Sequence, residues 1–180
     1  YTTLFRSYYF GSSATCPAGL WRSGGTPATT QLVKALDINV TPITQIEVIG
    51  QALYFVADDG VHGWELWRSD GTADGTQMIL DLRPVQPSSS PSRQMLLNGQ
   101  IYFGADDGEH GRELWRTDGT AGGTQMVKDL IPGQESFWTS NYFSSATAGT
   151  SLFFSVYRTD QLYWLGRTDG TDQGTHLLGQ

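Results

Sequence analysis

The chain has 180 residues, 38% of them hydrophobic and 12% aromatic, enough apolar material for one packed domain. Eleven Lys and Arg against 18 Asp and Glu leave a net charge of −7. With no basic face to gather phosphates, nucleic-acid binding and docking on an anionic membrane are disfavoured.

No apolar run approaches the roughly 18 residues of a membrane helix, so no membrane insertion is expected. The lone Cys16 excludes an internal disulfide. A start at Tyr1, with neither Met nor a signal sequence, is expected of a processed protein or of the ordered part of a longer one.

In chain order, residues 1–5 and 8–10 read as two short strands, followed by GLWRSGGTPATTQLVKAL at 19–36. A linker at 37–42 leads to QIEVI at 45–49, a turn at Gly50-Gln51 and ALYFVA at 52–57. Next come the acidic DDGVHG at 58–63 and ELWRSDGTADGTQMILDL at 65–82. Residues 83–93 carry three prolines and four serines and cannot form a central strand. The plan repeats with MLL at 95–97, Asn98-Gly99, IYF at 101–103, DDGEHG at 106–111 and ELWRTDGTAGGTQMVKDL at 113–130. A connector at 131–141 precedes YFS at 142–144, Gly149-Thr150, LFFS at 152–155 and WLGRTDGTDQGTHLLGQ at 164–180. No segment has a 3.6-residue period, so helix should be nearly absent.

Within the recurring unit, LWRT at 114–117 is a β-run, Asp118-Gly119 a tight-turn dipeptide and QMV at 125–127 a second apolar run. Asp-Gly between β-runs predicts a hairpin, because both residues tolerate the positive φ such turns often need. The residues between the runs make a longer loop, in which Gly123 is free to take a second special φ. Asp118 is placed to hydrogen-bond its own turn backbone.

Four copies in one small chain define a repeat fold. Gly25, Gly71, Gly119 and Gly170 are 46, 48 and 51 residues apart, close to the length of a four-stranded propeller blade. Met78, Leu80 and Leu82 fall on one side of their strand and Ile79 on the other. A sheet apolar on both faces must be covered on both, as radial blades are.

The expectation is an all-β single domain over 1–180, a four-bladed β-propeller of four-stranded antiparallel blades at 1–37, 43–83, 94–131 and 141–180. Four blades are the low end for a propeller, and no overlapping strand locks the ring. The alternative is half of an eight-bladed propeller completed by a second chain, a homodimer.

The repeated ELWR[ST]DGT..GT..[VI] block, preceded by YF.ADDG.HG, resembles the bacterial ELWxxDGT repeat family. The match is close over 53–82 and 101–130 and weaker in the outer units; together the four cover most of the chain. The resemblance implies a β-propeller-like array in a secreted or surface-associated bacterial protein, with no known activity. Unit one departs from the pattern with Gly24 in the Asp position and Thr30 assigned to that of the second-turn Gly. Unit four has Gly166 in the Trp position.

The carboxylates Asp58, Asp59, Asp106 and Asp107, each pair next to a Gly, are candidate oxygen ligands for Ca²⁺. No other cofactor is implied. The competing reading has one Asp capping its turn and the other pairing with Arg68 or Arg116. His62 and His110 recur singly and favour a turn or hydrogen-bonding role over metal ligation or acid–base work. Trp21, Trp67 and Trp115 read as core between blades. Asp70, Gly71, Asp118, Gly119, Asp169 and Gly170 read as structural turn residues.

The aromatics outside the repeat pattern, Trp64, Phe137, Trp138, Tyr142 and Tyr157, are the candidates for a partner or ligand surface. Arg22, Arg68, Arg116 and Arg167 recur in all four units and are expected to pair with acidic groups. No phosphate loop, nucleophile elbow or Ser/His/Asp spacing occurs.

The functional expectation is a non-enzymatic extracellular or bacterial-surface module that binds a protein partner or larger assembly. A carbohydrate-binding propeller is the alternative. A glycoside hydrolase using Glu65 and Glu113 ranks last, since both residues belong to the repeat itself.

Overall fold

The structure is a computed structural model that describes residues 7–13, 16–36, 46–84, 88–92, 94–133, 145–157 and 163–179. These residues form four antiparallel sheets. Sheet one holds β1 (Ser7–Ser13), β2 (Cys16–Ser23) and β3 (Gln31–Ala35). Sheet two holds β4 (Ile46–Ile49), β5 (Ala52–Ala57), β6 (Glu65–Ser69) and β7 (Gln77–Met78). Sheet three holds β8 (Met95–Leu97), β9 (Gln100–Asp106), β10 (Arg112–Thr117) and β11 (Gln125–Lys128). Sheet four holds β12 (Ser145–Ala148), β13 (Ser151–Tyr157), β14 (Tyr163–Thr168) and β15 (His176–Leu177).

Strands neighbouring in sequence are neighbours in every sheet, so each sheet is an up-and-down meander built from local hairpins. A single 3₁₀ turn at Pro27–Thr29 is the only helical element among the described residues. The β8 to β9 hairpin turns on Asn98 and Gly99, at φ 51° and 76°, as an Asn-Gly pair favours.

Sheet one shows three strands where four were expected, and residues 1–5 lie outside the described residues. The strand expected at 142–144 also lies outside them, while the polar run Ser145–Ala148 is a strand, exposed throughout. The alternation expected along 78–82 stops early, because β7 ends at Met78. Ile79 is nevertheless buried, and its N–H reaches the Leu66 carbonyl at 2.9 Å. A register shift at the matching place in β2–β3 and β10–β11 turns Val33 and Val127 inward in the same way. Residues 88–92 run beside β9, exchanging bonds through Ser92 N–H to Gly104 O at 2.8 Å and Asp106 N–H to Ser89 O at 3.0 Å.

The chain divides into two compact units, Tyr1–Ile79 and Leu80–Gln180. In the first, the face of sheet one carrying Tyr8, Phe10 and Leu20 packs on the face of sheet two carrying Leu53, Phe55, Trp67 and Met78. Phe10 and Phe55 meet edge to face with ring centroids 5.1 Å apart. In the second unit, the face of sheet three carrying Tyr102 and Leu114 packs on Leu152, Phe154, Val156 and Leu177 of sheet four. The same sheet-on-sheet joint is thus built twice. Gly166 fits this pattern, since a Cβ there would lie 2.3 Å from the Phe154 ring. Phe154 takes the space that a Trp side chain would need.

Candidate functional site

The feature that recurs most faithfully is the DGT turn, which at Gly71 and Gly170 is also gripped by two side chains of another sheet. In the third sheet, Thr117 Oγ1 lies 2.7 Å from Thr124 Oγ1 and accepts from Gly119 N–H at 2.9 Å. Asp118 Oδ1 accepts from Thr120 N–H at 2.9 Å and from its hydroxyl at 2.7 Å. Thr120 Oγ1 accepts from Gly123 N–H at 3.0 Å, and Thr124 donates to Thr120 O at 2.7 Å.

The same bonds recur around Asp70 and around Asp169. The Thr hydroxyl, followed by the Thr N–H, holds each of these carboxyls below the usual Asp range. Asp70, Asp118 and Asp169 therefore act on their own loops, as expected. Gly123 departs from expectation: it is not among the positive-φ residues. It is glycine because a Cβ would sit 2.1 Å from the Asp118 carboxylate folded over the loop.

Unit one reaches the same loop by a different route. Thr30 bonds Ser23 across the loop at 2.8 Å, as Thr76 bonds Ser69, so Thr29, rather than Thr30, occupies the place of the second-turn Gly. With Gly24 in the Asp position, Thr29 Oγ1 moves into the vacated space and accepts from Thr26 N–H at 3.1 Å. The two departures from the repeat pattern compensate each other.

The grip on the turn joins two sheets. Arg22 of sheet one donates to the Gly71 carbonyl of sheet two at 2.8 Å, and Arg116 of sheet three donates to the Gly170 carbonyl of sheet four at 2.8 Å. The hydroxyl oxygens of Tyr8 and Tyr102 lie 2.2 and 2.3 Å from where a Cβ would stand on Gly71 and Gly170, whose φ are 87° and 94°. Only glycine satisfies both the backbone angle and the contact. Burial raises the Tyr102 hydroxyl above its ordinary range. Where Arg22 and Arg116 were expected to pair with acidic groups, they bind carbonyls, which a guanidinium suits by its several donors. Arg167 instead donates to Ser151 Oγ of its own sheet at 2.9 and 3.1 Å.

The acidic turns are used internally as well. Asp58 and Asp106 each accept a glycine N–H at 2.7 Å. Asp59 accepts the Val61 and His62 N–H groups and Asp107 those of Glu109 and His110. The second oxygen of each meets the histidine Nδ1, at 2.7 Å for His62 and 2.8 Å for His110. Burial alone would push Asp59 and Asp107 up, but these bonds outweigh it and hold both below the usual range. The bond to Asp107 raises His110.

The arginine that pairs with Asp106 is Arg83, at 2.9 Å, a residue the sequence reading did not single out; Arg116 is engaged at Gly170. No group of three or more His, Cys, Asp or Glu converges on one ion position among the described residues.

Trp67 and Trp115 are buried, with indole N–H groups bonded to Ala57 O at 3.0 Å and Ala105 O at 3.1 Å. Trp21 is half-buried and donates to Pro17 O at 3.3 Å. Trp64, half-buried, forms an isolated bridge just before β6. Phe137, Trp138, Tyr142 and the Tyr157 side chain lie outside the described residues. Glu113 is fully buried; its Oε2 accepts from Leu130 N–H at 3.0 Å, while Oε1 has no partner. Burial, reinforced by nearby Asp129, pushes its carboxyl up to about 8.

No known family matches the chain, and no curated protein matches it. Among solved structures, the chain is similar to a puromycin hydrolase mutant in complex with PGG, at 14% identity and a TM-score of 0.54, over 90% of this chain and 24% of that one. It is also similar to the computationally designed Ika8 protein, at 18% identity and a TM-score of 0.46, over 90% of this chain and 42% of that one. The chain thus spans less than half the length of either. The likeness to the hydrolase shows the fold alone.

Proposed function

We propose that the four sheets are blades of a propeller-type array of the ELWxxDGT repeat kind. The array is a non-enzymatic structural or interaction module, secreted or displayed at a bacterial surface, that engages a protein partner. The observation that carries the reading is the repeated joint. In each compact unit the Arg and Tyr of one sheet close on the glycine turn of the next, as modules designed to stack side by side require. The recurring Asp, Thr and His side chains hold their own loops, which supports a scaffold over a reaction centre. Phe137 and Trp138, with Trp64, Tyr142 and Tyr157, are the proposed partner anchors.

Cross-linking of the chain on intact bacterial surfaces, followed by mass spectrometry, tests the reading. The wild type is expected to give a defined set of protein cross-links that Phe137→Ser with Trp138→Ser removes. A glycan-array signal that depends on these aromatics, without protein cross-links, would transfer the assignment to a carbohydrate-binding propeller. Particle images showing a linear stack of sheets instead of radial blades would overturn the array.

A further inference from the structure

The joint between sheets has two complementary faces. One, the clamp face, carries Tyr8, Leu20 and Arg22 in sheet one and Tyr102, Leu114 and Arg116 in sheet three. The other, the receiving face, carries Phe55, Trp67 and Met78 in sheet two and Phe154, Gly166 and Leu177 in sheet four. By the same register, the receiving face of sheet one is Tyr9, Trp21 and Leu32, and the clamp face of sheet four is Phe153, Leu165 and Arg167.

Both of these faces are open. Tyr9 is 40% exposed, whereas its equivalents Phe55 and Phe154 are exposed by 0% and 1%. Leu165 is 45% exposed, whereas Leu20 and Leu114 are at 0%. Tyr163 and Leu178 enlarge the apolar surface around Leu165. The matching turn is open too. Gly25 has φ 96° and nothing within 4 Å of a built Cβ, where Gly71 and Gly170 meet a tyrosine hydroxyl. A recess lined by Ser23, Gly25, Thr26, Pro27 and Thr30 marks the place.

We propose that the clamp face of sheet four receives the Tyr9, Trp21 and Leu32 face of a second copy of this chain, head to tail. The occupant is argued from the match: position for position, these are the faces already mated inside each compact unit. Among the described residues, sheet one carries an open receiving face and sheet four an open clamp face, and such a heterologous pair joins copies into a ring or a row. In the assembly Arg167 turns from Ser151 to the partner's Gly25 carbonyl, as Arg22 turns to Gly71. Phe153 packs over that glycine without the hydroxyl that Tyr8 and Tyr102 carry. The inference rests on reading the sheets as blades.

Light scattering across micromolar concentrations tests it on the intact chain. The wild type is expected as a dimer or longer head-to-tail species. Leu165→Glu and Tyr9→Glu are each expected to be monomeric with unchanged circular dichroism. Mixed in equal amounts they recover a dimer, because one intact pair of faces remains. Arg167→Ala, a milder change, should weaken association at least tenfold.

A monomeric wild type, undiminished association of Leu165→Glu, or a mixture that stays monomeric overturns the inference. A monomer whose particles still show radial blades overturns it while leaving the array standing; a linear stack removes both.

Discussion

Glu113 is a carboxyl in a place that favours its neutral form. Its side chain is fully buried, with one oxygen bonded to a backbone N–H and the other unpartnered. Its carboxyl is pushed up from 4.5 to about 8. The folded chain therefore holds this proton over a pH range in which the unfolded chain has released it. Such a group contributes stability that is full below about pH 4.5 and is lost as pH rises through about 8.

The expected loss from this group over that interval is at most about 5 kcal/mol, at roughly 1.4 kcal/mol per pH unit between 4.5 and about 8. Glu113→Gln keeps an oxygen for Leu130 N–H and cannot ionise, so its stability should decline clearly less than the wild type's over this interval, the remaining decline coming from groups such as the raised His110. Denaturant titrations at a series of pH values check this, and parallel profiles for the two proteins would refute it. A buried hydroxyl makes the second prediction. Thr117 is fully buried and serves both Thr124 and Gly119 N–H. Thr117→Val should cost about 1–2 kcal/mol by leaving the part-buried Gly119 N–H unpaired and removing one of the two bonds of the Thr124 hydroxyl, which keeps Thr120 O, and a loss below about 0.5 kcal/mol would show the loop is held otherwise.

At the scale of elements, the joint makes two glycines with similar backbone angles unequal. Gly25 and Gly71 have φ of 96° and 87°, but only Gly71 lies under a tyrosine hydroxyl, 2.2 Å from a built Cβ. Gly25→Ala should lose only the conformational strain of about 1–2 kcal/mol. Gly71→Ala adds displacement of Tyr8 and should lose at least twice as much. Equal losses in urea titrations would mean that Tyr8 does not constrain the turn.

What the sequence made legible was local. Asn98-Gly99, the Asp-Gly turns and the short apolar runs identify hairpins, because strand neighbours in sequence are neighbours in space. What it hid was spatial. Thr29 compensates for Gly24 across a loop, and Tyr8 meets a glycine on another sheet. The shifted registers at Val33 and Val127 invert the face that simple alternation assigns. The paired aspartates invited an ion because their partners are backbone N–H groups and a histidine ring, invisible until the chain turns.

At the scale of the whole molecule, two compact units each contain one copy of the joint, Arg22 with Gly71 in the first and Arg116 with Gly170 in the second. Each arginine donates a charged hydrogen bond to a carbonyl that otherwise caps a tight turn, and both are partly shielded from solvent. Removing either should cost about 1–2 kcal/mol, since charged donors to neutral acceptors sit above the ordinary hydrogen bond in net worth.

The two joints share no partner, so their losses should add. The doubly substituted Arg22→Ala, Arg116→Ala chain is expected to lose the sum of the single losses to within about 0.5 kcal/mol. The three variants and the wild type form a thermodynamic cycle measurable by denaturant titration at one pH. A double variant that loses clearly less than the sum would mean that breaking one joint already releases the other. The modular account of this chain would then fail, because modules joined by repeated local contacts contribute nearly independent terms.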